Sequence, residues 1–144
     1  MPQPRLTNTL MELQDALKGI KRQFMAYRNG IVADTLRGAG MDCYNIIFGL
    51  NVPQLAHIAG TIGPSLEIAE ALWADVKVRE SRLLATYLFP KEKVDKALAV
   101  RLMDEAQTQE EADMLAFRLL RYLSFLPELK EGANGYAAVA LSRY

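Results

Sequence analysis

A chain of 144 residues that is 51% hydrophobic and 24% charged can bury a core and is too apolar to remain disordered. Its 17 basic and 17 acidic side chains cancel, so a polyanion partner would need charge gathered on one face rather than a global basic excess. The single Cys43 excludes an intramolecular disulfide, and no Cys/His set for zinc exists around the one histidine, His57.

The opening MPQPRLTNTL lacks the apolar stretch of a secretory signal. No run approaches the roughly 20 apolar residues of a membrane span. A cytoplasmic protein without a membrane partner is the expectation.

The first long helix is predicted to start at Thr7 or Asn8, either of which can cap it. Leu10, Leu13, Leu17, Ile20, Phe24 and Tyr27 follow at steps of three and four, which places them on one stripe. Asn29-Gly30 breaks the pattern, Ile31 to Leu36 resume it, and Gly38 and Gly40 end it. Cys43 to Leu50 is the one stretch that reads as a strand. A lone strand has nothing to pair with, so a buried connecting segment is preferred.

Pro53 opens the next helix, where its missing N–H is not needed, and Gly63-Pro64 repeats the stop and start. Leu66 to Trp73 and Val78 to Leu88 are two further apolar helices separated by a turn at Asp75. Pro90 punctuates, and Asp95 caps a helix through Leu98, Leu102 and Met103. Thr108-Gln109-Glu110-Glu111 reads as a capping box that opens a helix on Ala112, Leu115, Leu119, Tyr122 and Leu123. Pro127 and Gly132/Gly135 close it, and Tyr136 to Leu141 form a last helix or a docked tail.

About eight helices with tight Gly/Pro links favour antiparallel neighbours, spaced near the roughly 40 residues of HEAT-type units. The expected fold is all-α. It is a superhelix, or solenoid, of about four HEAT-like antiparallel hairpins, forming one armadillo-type domain over residues 1–144.

Three stretches carry a resemblance: IIFGLNVPQLAHIA (Ile46 to Ala59), EALWADVKVRESRLLATYL (Glu70 to Leu88) and TQEEADMLAFRLL (Thr108 to Leu120). Together they resemble the AlkD-like DNA alkylation repair family, whose members are built from HEAT-like hairpins. The most telling piece is Leu72-Trp73 followed by Arg79-Glu80-x-Arg82 and Leu84-Ala85. The resemblance implies a concave surface for damaged duplex DNA and a carboxylate facing the deoxyribose. Such a group stabilises the positive charge that develops as the glycosidic bond breaks.

In that family the carboxylate closes a Trp-Asp-x-x-Asp sequence. The matching segment here is Gln109-Glu110-Glu111-Ala112-Asp113, so Asp113 takes the catalytic place and Gln109 replaces the aromatic. A second family aromatic lies beyond the end of this sequence. The expectation is a DNA-binding relative whose N-glycosylase activity on alkylated purines is doubtful or lost.

Each candidate also has a plain structural role. Asp113 sits near the positive end of a helix dipole, where any carboxylate is favourable. Trp73 suits the core. His57 reads as a helix side chain, Cys43 as a small buried apolar residue, and Glu80 between Arg79 and Arg82 as a tie between helices. The cations group as Lys18/Lys21/Arg22, Lys77/Arg79/Arg82, Lys91/Lys93/Lys96 and Arg118/Arg121, interleaved with acids. Arg118, Arg121, Lys77 and Arg79 are the candidate nucleic-acid contacts.

Neither metal nor cofactor is expected, because no ligand set or Gly-rich phosphate loop appears. The competing function is a helical-repeat scaffold for protein partners or self-association, which the neutral charge balance suits. A metabolic enzyme ranks last, since no nucleophile–base pair is present.

Overall fold

The computed structural model describes residues 2–144, with side chains from Leu10 onward. Among the described residues the fold is all-helical, with nine α-helices, two 3-10 turns and no strand. In order the helices are α1 (Pro2–Tyr27), α2 (Gly30–Gly38), α3 (Val52–Ile62), α4 (Leu66–Trp73), α5 (Arg79–Leu88), α6 (Lys96–Glu105), α7 (Gln109–Arg118), α8 (Leu126–Gly132) and α9 (Gly135–Leu141). The 3-10 turns are Lys91–Lys93 and Leu120–Tyr122.

The caps are largely local chemistry. Asn29, Asn51, Ser65, Asp95 and Thr108 each accept a backbone N–H at the start of the helix they precede. Asn51 and Gln54 complete a reciprocal capping box at α3, a pairing the sequence reading missed. The box expected at Thr108 is only half made. Glu111 N–H donates to Thr108 Oγ1 at 3.0 Å, but the Glu111 carboxylate turns inward instead of returning to the cap. The cap expected at Thr7 or Asn8 falls on side chains outside the described residues.

Two further expectations change. α7 ends at Arg118, and the chain continues through a 3-10 turn rather than as one helix to Leu123. Pro127 does not close a helix; it lies in the first turn of α8, where its missing N–H costs nothing. The tail from Tyr136 to Leu141 is helical.

α3, α5, α7 and α9 stand in a row, each packed on the next. Their starts are aligned: Arg79 on α5 reaches both Leu50 O, just before α3, and Glu110 on α7. Gln109 on α7 in turn donates to Tyr136 O on α9. α4 runs back antiparallel to α5, since Ser65 N–H meets Leu88 O at 2.9 Å. α1 lies across α3 and α4, and α6 packs on α8 and α9. Of the stripe on α1, Ile20 and Phe24 are buried, while Leu10 and Tyr27 at its ends are exposed.

Residues 43–50 form a connecting segment rather than a strand, buried at Tyr44, Ile47, Gly49 and Leu50 but exposed at Asn45 and Ile46, with one isolated parallel bridge between Ile46 and Val78. It is pinned from several sides. Asn45 and Ile46 N–H donate to Lys77 O at 2.8 and 3.0 Å, and the Arg37 guanidinium donates to Tyr44 O and Asn45 O. The Phe24 and Phe48 rings meet at 5.6 Å between centroids.

Gly49 is the tightest point, with φ at +87° and its backbone pressed against Asn29 O. A Cβ there would lie 2.3 Å from that oxygen. Gly49→Ala therefore combines left-handed strain with a backbone clash, and a loss of about 2–4 kcal/mol is expected. Urea unfolding followed by circular dichroism checks this, and a variant within about 0.5 kcal/mol of wild type would contradict it.

Candidate functional site

α5 carries Arg-Glu-Ser-Arg in its first turn, yet Arg79, Glu80, Ser81 and Arg82 are all buried. Charges removed from water must be paired and fully hydrogen-bonded. Glu80 accepts the N–H groups of Phe48, Gly49 and Leu50 at 2.9, 3.0 and 3.3 Å and pairs with Arg79 at 2.6 Å. Arg79 also forks onto Glu110 with two bonds of 2.8 Å. Hydrogen bonds and charge from Glu110 and Glu80 outweigh the cost of burial and hold the Arg79 guanidinium above its ordinary pKa.

Arg82 lies flat on Trp73, 3.6 Å above the ring, and donates to Trp73 O, Glu105 O and Glu111. Glu111 takes further donors from Tyr44 OH and Gln107 N–H. Burial, and then the bond to Glu111, push the Tyr44 phenol well above its usual range. Trp73 is in the core, with its Nε1–H on Glu105 at 2.9 Å. His57 is an exposed helix side chain, edge-on to Tyr27. Cys43 is half-buried, and burial raises its thiol pKa, which makes it a poor nucleophile.

Asp113 is half-buried in the second turn of α7. Its Oδ1 accepts from the Gln109 side-chain amide at 2.9 Å, and the same amide nitrogen donates to Tyr136 O at 3.0 Å. Gln109 thus stitches α7 to α9 directly, with Asp113 on its own helix holding the amide in place. Among the described residues no cluster of His, Cys, Asp or Glu is placed to hold a metal ion.

The four cations expected to contact nucleic acid do not come together. Lys77 is exposed in the turn before α5. Arg79 departs from the surface role expected of it: it is 5% exposed, and its nitrogens are committed to Glu80, Glu110 and Leu50 O. Arg118 closes the opposite end of α7, roughly 12 Å from Glu110 at 1.5 Å per residue, and Arg121 follows in the 3-10 turn.

At that far end the cations rest on rings. Arg121 sits 4.4 Å from the Phe117 ring centroid and 4.5 Å from that of Tyr122, with Tyr144 at 5.7 Å. Arg118 covers Tyr87 at 4.3 Å, and Lys91 Nζ covers Tyr122 at 3.7 Å. Among the described residues none of these three cations has a carboxylate within 4.0 Å, whereas Arg79, Arg82 and Arg101 all do. Arg118 Nε is also shut off from solvent without a hydrogen-bond partner, a state that costs about 1–3 kcal/mol.

Sequence reading placed Arg118 and Arg121 together but missed their union with Lys91 and the tyrosines. Phe117 and Arg121 stand one turn apart, a spacing visible in sequence. The approach of Lys91 to Tyr122 is tertiary and left no local signal.

Two substitutions probe the buried network. Glu111→Gln leaves Arg82 without its counter-charge, and a loss of about 3–5 kcal/mol is expected in urea unfolding at neutral pH. Tyr44 holds its proton more tightly folded than unfolded, so its share of stability is whole below about pH 10 and declines above it, by up to about 1.4 kcal/mol per pH unit. Tyr44→Phe should make that alkaline decline shallower; an unchanged slope would show that the phenol does not titrate with unfolding.

Compared with protein-family models, curated proteins and solved structures, the chain matches none of them.

Proposed function

We propose that this chain is a HEAT-like helical-repeat protein that grips the DNA backbone and does not excise bases. The row of α3, α5, α7 and α9, with α4 running back against α5, supports reading the fold as stacked hairpins. The observation that carries the DNA reading is the uncompensated charge at the far end of α5 and α7. In a chain of zero formal net charge, Lys91, Arg118 and Arg121 have no carboxylate partner among the described residues, and exposed aromatic edges surround them. Arginines stacked on rings keep their outward N–H groups for phosphate oxygens.

The resemblance to alkylation-repair proteins supplies the polymer, and Asp113 argues against the chemistry. Its carboxylate is engaged by Gln109, the neighbouring Glu110 is neutralised by Arg79, and an amide replaces the ring that would face the substrate. Nothing there concentrates negative potential on a deoxyribose.

Two assays test the halves separately. In fluorescence anisotropy with a 20-base-pair duplex, affinity should fall with salt at a log–log slope of about −3, one unit per cation. Arg118→Ala/Arg121→Ala should remove about two units of that slope. An absent or salt-insensitive interaction would sink DNA binding. In the second assay, duplex carrying N3- or N7-alkylated purine should release no base with either wild type or Asp113→Ala. Release by wild type that disappears in the variant would restore the glycosylase reading.

A protein-scaffold reading has one feature in its favour: Tyr136 and Val139 on α9 are 47% and 54% exposed. Concentration-dependent dimerisation in sedimentation, lost in Tyr136→Ser/Val139→Ser, would favour it.

A further inference from the structure

The cationic face has depth. Between the end of α5, the 3-10 turn at Lys91–Lys93 and the end of α7 lies a cavity of about 320 Å3, lined in part by Tyr87, Phe89, Lys91, Glu92, Arg118 and Tyr122. That volume is at the small end of ligand pockets, which start near roughly 300 Å3. Two cations and one carboxylate leave the lining with a surplus positive charge.

Each cation is positioned by an aromatic face. Tyr122 carries Lys91 and Tyr87 carries Arg118, so both heads are fixed in place without being neutralised. Neither head has a carboxylate within 4.0 Å among the described residues, in contrast to Arg79, Arg82 and Arg101. The donors are in place and the acceptor is missing.

The shape selects among phosphates. A phosphodiester inside a continuous strand is a monoanion flanked by two sugars, and it can only run across the mouth of such a cavity. A strand end can enter it. A terminal phosphomonoester carries about −1.5 to −2 charge at neutral pH and three strong acceptor oxygens, enough for two cations at once. We propose that this cavity receives the terminal phosphomonoester of a nucleic-acid strand, with Lys91 and Arg118 as its cationic walls. The inference rests on the DNA-binding reading above and narrows it to strand ends, as at a nick, gap or break.

The test uses the full chain and oligonucleotides of one sequence with a phosphate on the 5′ end, on the 3′ end or on neither, measured by anisotropy. Free thymidine 5′-monophosphate and inorganic phosphate serve as competitors. One phosphorylated end should bind about tenfold more tightly than the unphosphorylated oligonucleotide, as expected of one added charge-assisted contact. Lys91→Ala, on the exposed turn, and Arg118→Lys, which keeps the charge, should each erase most of that preference. Arg121→Ala, outside the lining, should weaken all three oligonucleotides alike.

Equal affinity for all three, with Arg121→Ala still weakening them, overturns the pocket and leaves DNA binding standing. Binding of the mononucleotide or of inorganic phosphate, dependent on Lys91 but with no oligonucleotide bound, overturns the strand-end proposal together with the DNA reading. Binding of none of these probes overturns both.

Discussion

Four buried charges hold the molecule together at one end. Arg79, Glu80, Arg82 and Glu111 form two compensated pairs; their other bonds go to the Glu110 carboxylate, to Tyr44 OH and to backbone groups of residues 48–50, Trp73, Glu105 and Gln107. These backbone positions belong to the connecting segment, the end of α4, and the α6–α7 turn. A buried ion pair is poor evidence for net stability, because desolvation consumes most of the Coulomb gain. Its stronger effect is geometric. A one-residue slip of α5 would strand four charges at once, so the network fixes the register of α5 against its neighbours and aligns the starts of α3, α5 and α7.

The two ends of α5 and α7 handle positive charge by opposite means. At the start, guanidinium groups meet carboxylates and are spent. At the end, they meet tyrosine and phenylalanine faces, which orient a cation without cancelling it. The C-terminal dipole of α7 gives Arg118 and Arg121 an ordinary reason to be there, and Arg121 Nε does cap Phe117 O at 2.8 Å. That bond and a second from Nη2 to Tyr122 OH take two donors of five, and among the described residues no nitrogen of Arg121 meets a carboxylate. The zero net charge of the sequence therefore hides a separation of charge in space.

Helices were legible because their signals are local: apolar steps of three and four, Asn, Ser, Asp and Thr caps, and glycine and proline at the stops. Cys43–Leu50 was legible as a connection because it lacked a partner. α5 itself was read correctly as a helix, and Glu80 as a tie, but not the burial of both arginines. By composition Arg-Glu-Ser-Arg belongs in water, and only the converging carboxylates and carbonyls of distant segments reverse that preference. The same reason spoiled the capping box, since Glu111 finds better partners in Arg82 and Tyr44 than in its own cap. Arg79 was expected at the surface for want of this tertiary information.

Grip and chemistry also separate along α7. Asp113 stands about 7.5 Å before Arg118 at 1.5 Å per residue, and Arg121 lies beyond the end of α7 in the 3-10 turn. On the proposed reading, a backbone held by Lys91, Arg118 and Arg121 draws its affinity from phosphates, independently of what the carboxylate does. Gln109 makes the neighbourhood of Asp113 a helix–helix stitch, because its amide nitrogen donates both to that carboxylate and to Tyr136 O on α9. The link positions the last helix against α7. Asp113 is thereby committed to the packing of the fold, while the cations at the far end of the row stay outside the ion-pair network.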